Sequence, residues 1–82
     1  MKLEISTPSK TLFEGEVRSV RCPGKGGSFQ VLNHHAPLVA VLEKGQVKYE
    51  TANGLAPSFV DVNRGVVQVT ENKVTILLTD TI

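Results

Sequence analysis

The sequence predicts an all-β domain of about eight to ten short strands, and three observations carry that prediction. Valine is the commonest residue, and Val, Ile and Thr concentrate in short runs. Such branched side chains pack well on a pleated surface and lose χ1 freedom in a helix. Turn-forming residues separate the runs at short, regular intervals. No window places its apolar residues at the helical spacing. Hairpins of this kind fold as an antiparallel sandwich or a small barrel, and periodicity does not choose between the two.

Each element has its own reason. Lys2 to Ser6 alternates, with Leu3 and Ile5 facing one way and Lys2 and Glu4 the other, until Thr7-Pro8-Ser9 breaks the run. Leu12 to Cys22 is a second extended stretch, with a bulge or kink expected at Gly15. Pro23-Gly24-Lys25-Gly26-Gly27 reads as a loop, followed by short strands at Ser28 to Leu32 and Leu38 to Leu42. Glu43-Lys44-Gly45 turns the chain into Gln46 to Glu50, where Val47 and Tyr49 alternate with polar residues. Asn53-Gly54 supplies the positive φ of a tight hairpin before Phe59 to Val62. Asn63-Arg64-Gly65 leads to Val66 to Thr70, and Glu71-Asn72 to Lys73 to Leu78, whose run Val74 to Leu78 reads as buried on both faces. Leu3, Ile5, Val47, Val74 and Ile76 are the expected core.

Composition narrows the function. The 82 residues are 40% hydrophobic and 21% charged, which is globular, and they suffice for one small core. A net charge of +1 gives no electrostatic reason to expect nucleic acid or anionic lipid as the main partner. The lone Cys22 excludes an intramolecular disulfide and fits a reducing compartment. No signal peptide or membrane-spanning run is visible, so one compact, soluble, intracellular domain is expected.

Candidate chemistry is sparse. Pro23 to Ser28 superficially suggests a phosphate loop, but Lys25 is followed by two glycines and a strand, where that motif needs Ser or Thr and a helix. His34, His35 and Cys22 are too few for a structural zinc site, and adjacent histidines on extended chain point to opposite sides. Pro37 makes a rigid corner of His35-Ala36-Pro37, where a histidine typically bonds a nearby carbonyl. Asp61 and Asp80 sit at strand ends, and the glutamates alternate outward, with no paired carboxylates. Nothing in the set argues for an enzyme, a metal or a cofactor.

Gly27-Ser28-Phe29-Gln30-Val31-Leu32-Asn33-His34-His35-Ala36-Pro37-Leu38 resembles the signature of the ε subunit of F-type ATP synthases, Gly-x-Phe-Gly-Val/Ile-Leu, two variable positions, then His-Ala-Pro-Leu. Leu3-Glu4-Ile5-x-Thr7-Pro8, Leu12-Phe13-Glu14-Gly15, Val17-x-Ser19-Val20 and Pro23-Gly24 resemble its opening strands. Lys44-Gly45, Asn72 to Leu77 and Asp80-Thr81 resemble its later ones, so the likeness covers nearly the whole chain. Gln30 replaces a usual glycine, so the backbone there needs no glycine-only conformation.

The resemblance implies a flattened antiparallel β-sandwich of about ten short strands over residues 1–82. It implies a non-catalytic central-stalk subunit, monomeric when isolated, that binds the γ subunit and the polar loops of the c-ring and couples proton translocation to ATP synthesis. It places the chain peripherally, without membrane insertion, on the cytoplasmic face of a bacterial inner membrane. By position, Gly26, Gly27, Ser28 and Phe29 match the c-ring contact, in a loop expected to order on its partner, and Thr7, His35 and Ala40 match the γ-facing side. The chain stops at Ile82, about where the family's two C-terminal helices begin, so coupling without regulation and no physiological ATP affinity are expected. The alternative is a free-standing β-barrel module for a small ligand or an oligonucleotide. It would need exposed aromatics on a basic face, and Phe13, Phe29, Phe59 and Tyr49 are the whole aromatic set.

Overall fold

The computed structural model describes residues 1–79. Asp80 and Thr81, which the sequence reading assigned to the closing block, lie outside the described residues. Eight strands form among those described: β1 (Lys2–Ser6), β2 (Thr11–Gly24), β3 (Gly27–Leu32), β4 (Leu38–Leu42), β5 (Gly45–Thr51), β6 (Ser58–Val62), β7 (Gly65–Thr70) and β8 (Lys73–Leu78). The all-β expectation holds, and the eight strands correspond to the eight runs read along the sequence, against the about ten that the family resemblance implies.

That strand belongs to two layers. Its first half pairs with β1, from Lys2 opposite Glu16 to Ser6 opposite Thr11. Its second half lies between β3, with Cys22 opposite Phe29, and β5, with Val20 opposite Tyr49. One layer therefore runs β4-β7-β8-β1-β2 and the other β3-β2-β5-β6. A single bridge from Gly24 to Leu42 joins them again at the far corner. Pairing is antiparallel except for β1 and β8, which run parallel, a departure from the purely antiparallel expectation. The chain ends of the two strands cannot meet in a hairpin, so they come together only after the sheet between them is built.

Alternation decides what is inside. Leu3, Ile5, Val20, Cys22, Val31, Leu42, Val47, Val67, Val74 and Ile76 are fully buried in one cluster drawn from both layers. All five expected core residues are among them. The rings of Phe13 and Tyr49, from different layers, meet at a centroid distance of 4.3 Å.

Five local readings change. Gly15 pairs regularly with Leu3, and the register slips instead beside Leu12 and Arg18, because the glycine makes room for the ring of Phe13 rather than for a bulge. Pro23 and Gly24 continue β2, so the expected five-residue loop is a Lys25-Gly26 turn with Gly26 at φ 96°. Asn53-Gly54 lies in a longer β5–β6 connection in which only Gly54, at φ 81°, is left-handed. In β8 the buried residues are Val74, Ile76 and Leu78, while Leu77 faces outward, so this run is buried on one face only. Glu71 and Asn72 turn as expected, at φ 48° and 60°. Asp61 lies within β6, opposite Gln46, rather than at a strand end.

Candidate functional site

The histidines and the cysteine hold no common site. Cys22 is fully buried, and burial pushes its thiol up to about 12, which suits a small core side chain and disfavours a thiolate. His35 is exposed and its Nδ1 lies 2.7 Å from the Ala36 carbonyl oxygen, the corner contact expected of it. His34 takes φ 63°, and its backbone N–H donates to Asn72 Oδ1 at 2.7 Å, tying the β3–β4 connection to the β7–β8 turn. No group of three metal-ligating side chains forms among the described residues. Among the described residues no helix is long and apolar enough to cross a membrane.

What the fold presents instead is surface. On β4, β7 and β8 the inward residues are apolar, and one outward row is apolar as well, while the outward positions beside it include Gln68, Thr70, Lys73 and Thr75. The inward set is Ala40–Val67–Ile76 and the outward set is Val41–Val66–Leu77, each aligned across three strands by the ladder. Val41, Val66 and Leu77 are 50%, 42% and 57% exposed, and Val39, two residues from Val41 on the same side, is 71% exposed. A strand in a two-layer sandwich needs only one apolar set, so a second one on a solvent face calls for another surface to cover it. The apolar run Val74 to Leu78 was the trace of this row in the sequence, with Leu77 exposed on its outer side.

The end of the sandwich beyond Leu42 is built from turns. Lys25 N–H donates to the Val41 carbonyl at 3.0 Å, and Glu43 N–H to the Pro23 carbonyl at 2.8 Å. These bonds stitch the β2–β3 and β4–β5 turns together. With the Asn63-Arg64 turn they enclose an open depression of about 490 Å³ lined by Lys25, Val41, Leu42, Glu43, Lys44 and Arg64.

The sequence-derived residues fall unevenly on these surfaces. Gly26 is at the exposed tip, and Gly27 and Ser28 follow it on exposed β3 positions. Phe29 departs from the loop reading, because it is paired in β3 and its ring lies against Gly24, where a Cβ would come within 2.7 Å. Ala40 faces inward and packs on the core, and its neighbours Val39 and Val41 are the outward residues of β4. Thr7 closes a turn after β1, its N–H donating to the Lys10 carbonyl at 2.8 Å. It follows Ser6, which pairs with Leu77, whereas His35 precedes Leu38, which pairs with Val69 near the other end of the ladder. Thr7 and His35 thus mark opposite ends of the layer that carries the apolar row, rather than one spot.

The geometry defines a small all-β domain with an outward apolar row and a turn-built end. It offers no constellation among its described residues for catalysis. A family model for the β-sandwich domain of the ATP synthase delta/epsilon chain matches residues 1–82, and the chain belongs to that family. It is 44% identical over 78 residues to the ATP synthase epsilon chain of a Nitratiruptor species, covering 95% of this chain and 60% of that one. To the epsilon chain of Chlorobium limicola it is 42% identical over 79 residues, covering 96% of this chain and 89% of that one. A chain in the cryo-EM structure of the central stalk and c-ring of Tetrahymena thermophila mitochondrial ATP synthase shares the fold, with a TM-score of 0.81 at 20% identity. That likeness covers 96% of this chain and 63% of the other.

Proposed function

We propose that this chain is a non-catalytic rotor subunit of a bacterial F-type ATP synthase, folding as a single domain over residues 1–82. It binds the γ subunit and the c-ring, sits peripherally on the cytoplasmic face of the membrane, and makes the stalk and ring turn together. The observation that carries the reading is the outward row Val41–Val66–Leu77 with Val39, held on paired strands in a member of this family. Covering the exposed part of each such side chain yields about 1 kcal/mol, enough for four of them to anchor an interface. The γ subunit is the occupant proposed for this face, with Thr7 and His35 at its two ends and Val39 and Val41 in the place first given to Ala40. The tip at Gly26, Gly27 and Ser28 is proposed to meet the polar loops of the ring.

The test is reconstitution with the γ subunit of the same organism. The pair V41S/L77S should lower affinity at least tenfold while the thermal midpoint stays near that of the parent, because both positions are exposed. Unchanged affinity would remove this face from the proposal. A photo-crosslinker on Ser28→Cys should capture a ring subunit in assembled enzyme. Capture of catalytic head subunits alone would overturn the assignment of the tip.

A further inference from the structure

Most charges along the strands are matched locally, Arg21 and Lys48 on β2 and β5 being the exception. Lys2 pairs with Glu14 at 3.3 Å, Arg18 with Glu50 at 3.4 Å, Lys73 with Glu4 at 3.9 Å, and the Met1 amino group with Glu16 at 3.6 Å. The turn-built end breaks this pattern. Lys25, Lys44 and Arg64 come from three different turns and line the same depression, where Glu43 is the one acid. None of the three cations has an ion-pair partner among the described residues. Asp61 adjoins Lys44 on the neighbouring side, but it accepts a hydrogen bond from Gln46 Nε2 at 2.9 Å. Like charges gathered on one end raise the local potential and favour an anionic partner there, even on a chain of net charge +1. The form of the site narrows the partner. The cations surround an open depression with Val41 and Leu42 in its lining, which a protruding peptide loop can enter and a flat lipid surface cannot.

We infer that this end docks a carboxylate-bearing polar loop, with Lys25, Lys44 and Arg64 taking its acidic side chains. The inference rests on the proposal that the tip faces the ring, and adds that the ring loops of this organism carry acidic residues. The experiment uses the ring purified from the same membranes and the full chain. A water-soluble carbodiimide should join Lys25 or Lys44 directly to a ring carboxylate, and the product should fall at least tenfold in K25Q/K44Q. Binding of the chain to the ring should weaken about tenfold between ~0.05 M and ~0.5 M salt, as the screening length shortens. The variant K25Q/K44Q/R64Q should lose most of that salt dependence and melt as the parent does, since its three positions are exposed.

If Ser28→Cys captures the ring while carbodiimide yields no product and K25Q/K44Q/R64Q binds like the parent, the acidic-loop inference is overturned and the ring-facing tip survives. If Ser28→Cys never reaches the ring, the functional proposal fails and this inference with it. Co-sedimentation with vesicles containing phosphatidylglycerol, lost in K25Q/K44Q/R64Q and without ring binding, would assign the cations to lipid headgroups and overturn it as well.

Discussion

The two outward faces of the sandwich are made from the same kind of strand and differ in what they show to water. Across β4, β7 and β8 the outward row is Val41–Val66–Leu77. Across β3, β2, β5 and β6 the corresponding row is Gln30–Arg21–Lys48–Phe59, beside the Gln46–Asp61 hydrogen bond and the Arg18–Glu50 ion pair. Both faces lie over the same core, so burial inside the domain explains neither. Apart from the exposed Phe59, the second row is the polar kind that an antiparallel sheet presents to water, whereas a wholly apolar row suits contact with another surface.

The largest expected effect would break that comparison if it failed. Ile76 and Leu77 are adjacent on β8 and face opposite ways, the first fully buried and the second exposed. Ile76→Ala should cost about 2–5 kcal/mol in denaturant unfolding, and Leu77→Ala less than about 1 kcal/mol. Equal costs would mean that Leu77 belongs to the core and that no partner face exists there.

A second effect tests what lies beneath the charged face, where Cys22 points inward next to Arg21. Its thiol ionises near 9 when unfolded and near 12 when folded, because burial disfavours the thiolate. Between those values the unfolded state has released a proton that the folded state keeps, so stability falls as pH rises above 9. The slope is about 1.4 kcal/mol per pH unit, and Cys22→Ala should lack that component in a comparison of unfolding free energies at several pH values. The same burial should leave the native thiol unreactive to a thiol reagent at pH 8 until the chain is unfolded. Rapid labelling of the folded chain would contradict the buried assignment.

The smallest effect sharpens the charged side. Arg21 and Lys48 are directly opposite across the β2–β5 ladder, like charges where an opposite pair would be favourable. Lys48→Glu should raise stability by about 0.2–1 kcal/mol, read as a shift of the denaturant midpoint. Val41→Glu on the other face should bring no such gain, since Val66 and not a cation is its neighbour.

Much of this was legible from local rules. Alternation in Lys2 to Ser6 and in β5 gave the inward residues there, because a period of two admits only one side to the core, whereas the unbroken apolar run of β8 hid that Leu77 faces outward. The Glu71-Asn72 turn was equally plain. The sequence could not show that β2 serves both layers, since a strand shared by two sheets has the same local pattern as two strands joined at a glycine. It also could not show that Gly15 and Gly24 stand under the rings of Phe13 and Phe29, a tertiary contact that local turn chemistry misreads as a bulge and a loop. At Gly26 to Phe29 the sequence offered a candidate contact by analogy alone. The apolar row and the cationic end each draw on residues from three separate segments, so no spacing rule along the chain can assemble them.

The undivided course of β2 has a mechanical consequence. A pull at the Lys25-Gly26 tip enters a strand flanked by β3 and β5 and continues along the same backbone to β1. Drawn lengthwise, such a strand loads many ladder hydrogen bonds at once in shear, rather than opening them one after another from an end. A load applied at the tip is therefore shared between the two layers through the strand they hold in common. Under the rotor proposal above, that one strand carries load from the tip into both layers.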